Sequence, residues 1–303
     1  MMQVKKIHSL TGHRDCVYTI EPSDQSEQFF SAGGDGMIVK WNLSTLEEGE
    51  LIARLPNSVY AIHYLQQQDQ LVVGHNYEGI HLLNWKEKKE IASLKLSSAS
   101  IFDIKSFRDD LFVASGDGNV CVIDLKNWSV KRRLIYSDKS ARVVAINPVT
   151  GDLAVGYSDN FIRIFSLEDY SLKFEFEAHQ NSVFSLHYTP DYKILISGSR
   201  DARLKAWDVA NHYLQAAEVA AHLFAINHMA FSPSGLLFAT GSMDKSIKVW
   251  DTTALKLLKV IDRARHAGHG TSVNKLLWTS FNDQLVSASD DRTLSVWSLK
   301  FGS

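Results

Sequence analysis

Cysteine is nearly missing from this chain, with two in 303 residues, Cys16 and Cys121. They are not in CxxC spacing, so neither a disulfide framework nor a thiolate metal site is expected, and a reducing compartment is the default. Proline numbers only five, beside 45% hydrophobic and 11% aromatic residues, a composition that excludes a disordered tail. A charge excess is missing too. Thirty-two Lys and Arg face 34 Asp and Glu, a formal charge of −2, which leaves no footprint for nucleic acid. Long apolar runs are absent: no stretch approaches about 18 uninterrupted apolar residues, and the first residues lack the apolar core of a secretory signal. No membrane association is therefore expected, and the chain reads as cytoplasmic. Nucleophile elbows, phosphate-binding loops, dinucleotide fingerprints and H-E-x-x-H pairs are all lacking, so no cofactor and no metal is expected.

What the chain does have is a repeat. From each of His13, His179, His222 and His269, a Ser or Thr follows at 18 residues (Ser31, Ser197, Thr240, Ser287), an Asp at 22 (Asp35, Asp201, Asp244, Asp291) and a Trp at 28 (Trp41, Trp207, Trp250, Trp297). A second pattern, Val/Ile-x-x-apolar, runs through seven units: Val17/Ile20, Val59/Ile62, Ile101/Ile104, Val143/Ile146, Val183/Leu186, Ile226/Met229 and Val273/Leu276. Within a unit, short β-branched and aromatic runs such as Val183 to Leu186 and Leu204 to Trp207 alternate with turn chemistry, Ser232-Pro233-Ser234-Gly235 or Asp35-Gly36. Four strands per unit of about 42 residues follow, with no competing helical period. A repeat of this length predicts one closed domain over 1–303, although length alone suggests two.

The Gly-His, Ser-x-x-x-Asp and closing Trp-Asp (Trp207-Asp208, Trp250-Asp251) resemble the WD-repeat β-propellers. The resemblance covers essentially the whole chain and implies an all-β fold of seven blades, each of four antiparallel strands, whose closure removes exposed sheet edges. The last unit ends at its third strand, while Val4 to Leu10 stands before His13 as Leu172 to Phe176 stands before His179. The N-terminal strand is therefore expected to complete the seventh blade.

A His, a Ser and an Asp at fixed spacing invite a catalytic reading, but an enzyme has no use for four copies of one triad. The resemblance implies a structural relay instead: Asp accepts from His, His contacts the hydroxyl, and the hydroxyl reaches the Trp indole. Such a chain satisfies buried polar groups and ties strands together. Units two to four depart from it. Unit two carries Leu55, Val73, Tyr77 and Leu83 at these positions; units three and four keep only Asp117 and Asp159. Replacing a whole relay with apolar groups costs little, whereas half a relay is expensive. A lone Asp can still cap its own turn.

Function, on this reading, lies where equivalent positions differ. The residue after the first Val/Ile reads Tyr18, Tyr60, Phe102, Val144, Phe184, Asn227 and Asn274, with Arg142 beside it in unit four. The residue before the turn Asp includes Arg200, Met243 and Asp290. The resemblance implies that both sets reach the rim of a central channel. Aromatic residues beside Arg are the composition of interface hot spots, so Tyr18, Tyr60, Phe102, Arg142, Phe184, Arg200, Asn227, Met243, Asn274 and Asp290 are the candidate binding residues. The alternative is that the aromatic side chains plug the channel as core. The basic stretch Asp262 to Ala267 stands before His269 and is either a solvated loop or a lip that steers an acidic segment. The reading is a non-catalytic scaffold for a protein or peptide partner, monomeric by itself. A small-ligand or enzymatic propeller, with Asp103 and Asp290 as its carboxylates, and a subunit of a larger complex remain the alternatives.

Overall fold

A computed structural model describes residues 2–301. Among them are seven four-stranded antiparallel sheets, the fold of the β-propeller class. Blade one runs Val17–Pro22, Gln28–Gly33, Met37–Asn42 and Glu50–Arg54 in order, each strand bonded to the next. Blades two to six repeat this order with innermost strands Ile62–Leu65, Ile101–Phe107, Ala141–Asn147, Val183–Tyr188 and Ile226–Phe231. Blade seven differs. Its strands Val273–Trp278, Gln284–Ser289 and Leu294–Phe301 are joined by Met2–Leu10, which pairs antiparallel with Leu294–Phe301. The expected closing strand is in place, with Met2 and Leu10 buried.

The chain divides into two compact units. Unit one holds residues up to Leu71, Asn84–Lys89 and those from Asn227 onward; unit two holds Val72–Leu83 and Glu90–Ile226. Each has its own core. In unit one, Val17, Phe29, Val39 and Trp41 pack with Val286 and Val296; in unit two, Phe112, Val120 and Val122 pack with Val144, Val155 and Phe165. The turn glycines are required by geometry. Gly36 has φ +69°, and a Cβ there would stand 2.1 Å from the Leu55 carbonyl oxygen.

Helix is confined, among the described residues, to the turn Arg263–His266 and the 3-10 segment Phe281–Asp283, and no helix is long and apolar enough to cross a membrane. Arg263–His266 lies in the basic insertion. Asp262 caps it, and the Arg265 guanidinium donates back to Asp262 at 2.9 and 2.6 Å, so part of that charge is neutralised where it arises.

One expectation is corrected by the strand register. In blade four the innermost strand starts at Ala141, which pairs with Tyr157 as Ile101 pairs with Ser115 and Val183 with Ser199. The repeat is thus set by Ala141 and Val144, not by Val143 and Ile146. Val144 is core, 1% exposed, and Arg142 takes the place that Tyr18 holds in blade one.

Candidate functional site

In three blades the His, Ser, Asp and Trp of the repeat are joined by hydrogen bonds. In blade one, His13 Nδ1 lies 3.1 Å from Asp35 Oδ2, His13 Nε2 lies 2.7 Å from Ser31 Oγ, and Trp41 Nε1 donates to Ser31 Oγ at 2.8 Å. An indole N–H can only donate and a carboxylate can only accept, so in a neutral ring the His13 proton sits on Nδ1 toward Asp35, and Ser31 accepts from Trp41 while giving its own proton to His13 Nε2. Blade five (His179, Ser197, Asp201, Trp207) and blade seven (His269, Ser287, Asp291, Trp297) reproduce it within 2.7–3.0 Å. In blade six Trp250 Nε1 donates to Thr240 Oγ1 at 2.9 Å, and His222 is buried.

The blades without the relay are tied in other ways. In blade two, His75 Nδ1 and His81 Nε2 are 3.0 Å apart, His81 Nδ1 is 3.2 Å from Glu90 Oε2, and Tyr64 and Trp85 both donate to Asp69. In blade four, Arg163 bridges Asp159 and Glu175 at 2.8 and 3.1 Å. Asp117 and Asp159 cap their turns through the Asn119 and Phe161 amides, as their lone positions imply. Spacing counted from blade one could not reveal the substitute networks, because they use different columns of the sheet.

The candidate binding residues are positioned by a bulge. In blades one, three, four, five and seven, the strand register skips one residue of the innermost strand: Tyr18, Phe102, Arg142, Phe184 and Asn274. A bulge sets two residues against one and re-aims the extra side chain. All five are half-buried, as are Tyr60 and Asn227.

These residues fall into two groups. In unit two, the Arg142 guanidinium lies 4.1 Å from the Phe102 ring centre and 5.3 Å from that of Phe184, while its Nε donates to Ser158 Oγ at 2.9 Å. Arg200, in the same unit, is exposed. In unit one, Tyr18 and Tyr60 pack at 4.7 Å, and burial pushes the Tyr18 hydroxyl pKa up, so it stays neutral. Asn274 donates to the Val17 carbonyl at 3.0 Å and to Asp290 at 2.7 Å; Asn227 donates to the Val273 carbonyl at 2.9 Å. Met243 is half exposed.

The two asparagines belong to a system that sequence reading missed. An innermost strand has one edge without a partner strand, and its backbone groups still need partners. Side chains of the preceding blade supply them. Asn227 and Asn274 satisfy carbonyls; Glu21, Asp103 and His228 accept from the amides of Tyr64, Val144 and Leu276 at 3.1, 2.9 and 3.3 Å. The aromatic and Arg positions thus present side chains, while the Asn positions stitch blade to blade.

A repeat model, the WD domain, G-beta repeat, matches residues 4–42, 170–208, 215–251 and 261–298, half of the chain. The chain belongs to the WD-repeat family. The matched segments are the four repeats whose spacing runs from His to Trp; the blades with substitute networks lie between them. Among curated proteins it is similar to Protein HIR1 of Eremothecium gossypii, 29% identical over 68% of this chain and 25% of that protein. It is also similar to a WD repeat-containing protein 3 homolog of Dictyostelium discoideum, 27% identical over 65% of the chain and 18% of that protein. The transcriptional corepressor LEUNIG_HOMOLOG of Arabidopsis thaliana is 23% identical over 60% of the chain and 23% of its own length. The chain therefore spans a quarter or less of each of these relatives.

Proposed function

We propose that this WD-repeat chain is a non-catalytic interaction scaffold whose partner seats on the bulge row of unit two, Phe102, Arg142 and Phe184, with Arg200 beside it. The observation that carries the reading is the Arg142 guanidinium between two aromatic rings, half-buried and held by Ser158. Stacking removes rotamer freedom from a long side chain before any partner arrives, so less ordering cost falls on binding. Its chemistry suits a segment with a carboxylate beside an apolar side chain. The Tyr18–Tyr60 pair of unit one is a second candidate contact.

The competing enzymatic reading needs available carboxylates. Asp103 is buried and accepts from the Ile104 and Val144 amides, and Asp290 accepts from Asn274, which supports the scaffold. Affinity purification from the native host tests the proposal. The double variant Phe102→Ala/Phe184→Ala should lose partners that the natural chain retains, with a melting midpoint within about 2 °C of it. Retained partners, or collapse of the fold, would show that the two rings serve packing.

A further inference from the structure

Each relay histidine is followed by two residues whose backbone has a fixed task and whose side chains do not. The first of the pair donates its amide to the turn Asp: Arg14 to Asp35 at 2.7 Å, Gln180 to Asp201 at 3.0 Å and Gly270 to Asp291 at 3.3 Å. In these three blades the pairs read Arg14-Asp15, Gln180-Asn181 and Gly270-Thr271, all small or polar. Blade six carries Leu223-Phe224 instead. Leu223 is 82% exposed, more than any other large apolar residue among those described, and Phe224 is 61% exposed. Whatever the pair touches within the fold, most of both side chains stays in water. The hydrophobic effect rewards burial, which the chain does not provide here, and adjacent exposed apolar groups mark an interaction surface.

A charge stands beside them in unit two. Ala221 and His222 both donate their amides to the Ala202 carbonyl, at 3.0 and 3.1 Å, so the chain entering Leu223 is fastened to the turn that carries Arg200. Arg200 is exposed, and among the described residues its guanidinium has no hydrogen bond, ion pair or ring contact. The neighbouring carboxylate does not compensate it. The Asp201 side chain is only 9% exposed, held inward by His179 and by the Gln180 and Arg203 amides. An uncommitted guanidinium beside two exposed apolar side chains complements a segment that joins a carboxylate to apolar groups. A basic or wholly polar segment would leave half of the patch unmatched.

We propose that Leu223, Phe224 and Arg200 form a docking step for a short acidic and apolar segment of a partner protein, with its apolar side chains on Leu223 and Phe224 and a carboxylate on Arg200. The step rests on the scaffold reading above and shares Arg200 with it, but needs none of Phe102, Arg142 and Phe184.

The test is fluorescence anisotropy of the full chain with two labelled peptides, one of repeating Glu-Leu-Phe units and a twin with Lys in place of Glu. The Glu peptide should bind saturably, and its twin roughly tenfold or more weakly. Arg200→Gln should remove this preference, and Leu223→Ser/Phe224→Ser should abolish binding. All three side chains are exposed, so melting midpoints should match that of the natural chain. In Phe102→Ala/Phe184→Ala the Glu peptide should still bind, which holds whether or not the bulge row seats a partner. Loss in both double variants, each folded, would assign step and row to one continuous site. The docking step is overturned if the Glu peptide does not saturate, if Arg200→Gln keeps the preference, or if binding survives Leu223→Ser/Phe224→Ser.

Discussion

At the scale of the residue, the relay is a hydrogen-bond circuit in which one hydroxyl serves two rings. Ser197 is the shared atom of blade five, bonded to His179 at 2.7 Å and to Trp207 at 2.9 Å. Ser197→Ala leaves both ring nitrogens buried without a partner and should cost about 1–3 kcal/mol, read as a lower urea midpoint with unchanged m-value. Blade two supplies the converse. Val73→Ser adds a buried hydroxyl to a blade that carries Leu55 and Leu83 where the relay has its imidazole and indole, and should destabilise rather than repair the blade. The circuit also sets the response to acid. At Asp201, burial pushes the carboxyl pKa up, but the hydrogen bond and charge of His179, with the Gln180 and Arg203 amides, outweigh it and hold it at about 2. A folded value below the unfolded one of about 3.9 means that this contribution is complete above about pH 4 and is lost as pH falls through about 2. Burial lowers the His13 pKa, with Asp35 opposing only in part. A depressed imidazole favours the neutral ring, so its contribution is complete above about pH 6.5 and declines as pH drops below that. Both act in the same direction. The melting midpoint should fall between pH 7 and 5 and again below pH 4, and His13→Gln should flatten the first step while lowering the plateau. An unflattened first step would assign it to another group.

At the scale of the element, the innermost strand does two jobs through alternate chemistry at one bulge. Where the extra residue is Asn, it bonds the next blade; where it is aromatic or Arg, it presents a surface. Asn274→Ala removes the bonds to the Val17 carbonyl and Asp290 and should destabilise by about 1–3 kcal/mol. The equivalent Phe184→Ala should cost less, since it breaks no hydrogen bond, and comparing the two melts separates stitching from presentation. Removing residues 1–10 deletes the strand that pairs with Leu294–Phe301 and buries Met2 and Leu10, so the melting midpoint should drop sharply. The same elements show what a sequence can convey. The relay was legible because its four side chains recur at fixed intervals within one repeat. The bulge was not, because Ala141 and Val143 are both apolar and the Val-x-x-Ile pattern fits blade four at either offset. Stitching contacts such as Asp103 to Val144 were hidden for another reason: each partner sits in a different repeat, and an Asp among strand residues carries no mark of which amide it will meet.

At the scale of the whole molecule, the open question is whether two compact units are two domains. Domain boundaries fall in exposed linkers crossed by few contacts. Two of the divisions of this chain do not. One lies between Leu71 and Val72, inside the strand Gln70–His75, and another between Ile226 and Asn227, inside Ile226–Phe231. Leu71, Val72 and Ile226 are each fully buried, so cutting there would expose core residues. The repeat spacing also continues through both points. We therefore propose one cooperative domain, closed by Met2–Leu10. Differential scanning calorimetry should give a single transition with calorimetric and van't Hoff enthalpies in agreement. Ser197→Ala in unit two and Ser31→Ala in unit one should each shift that whole transition. Two resolved transitions, each moved only by the variant in its own unit, would make the units separate domains.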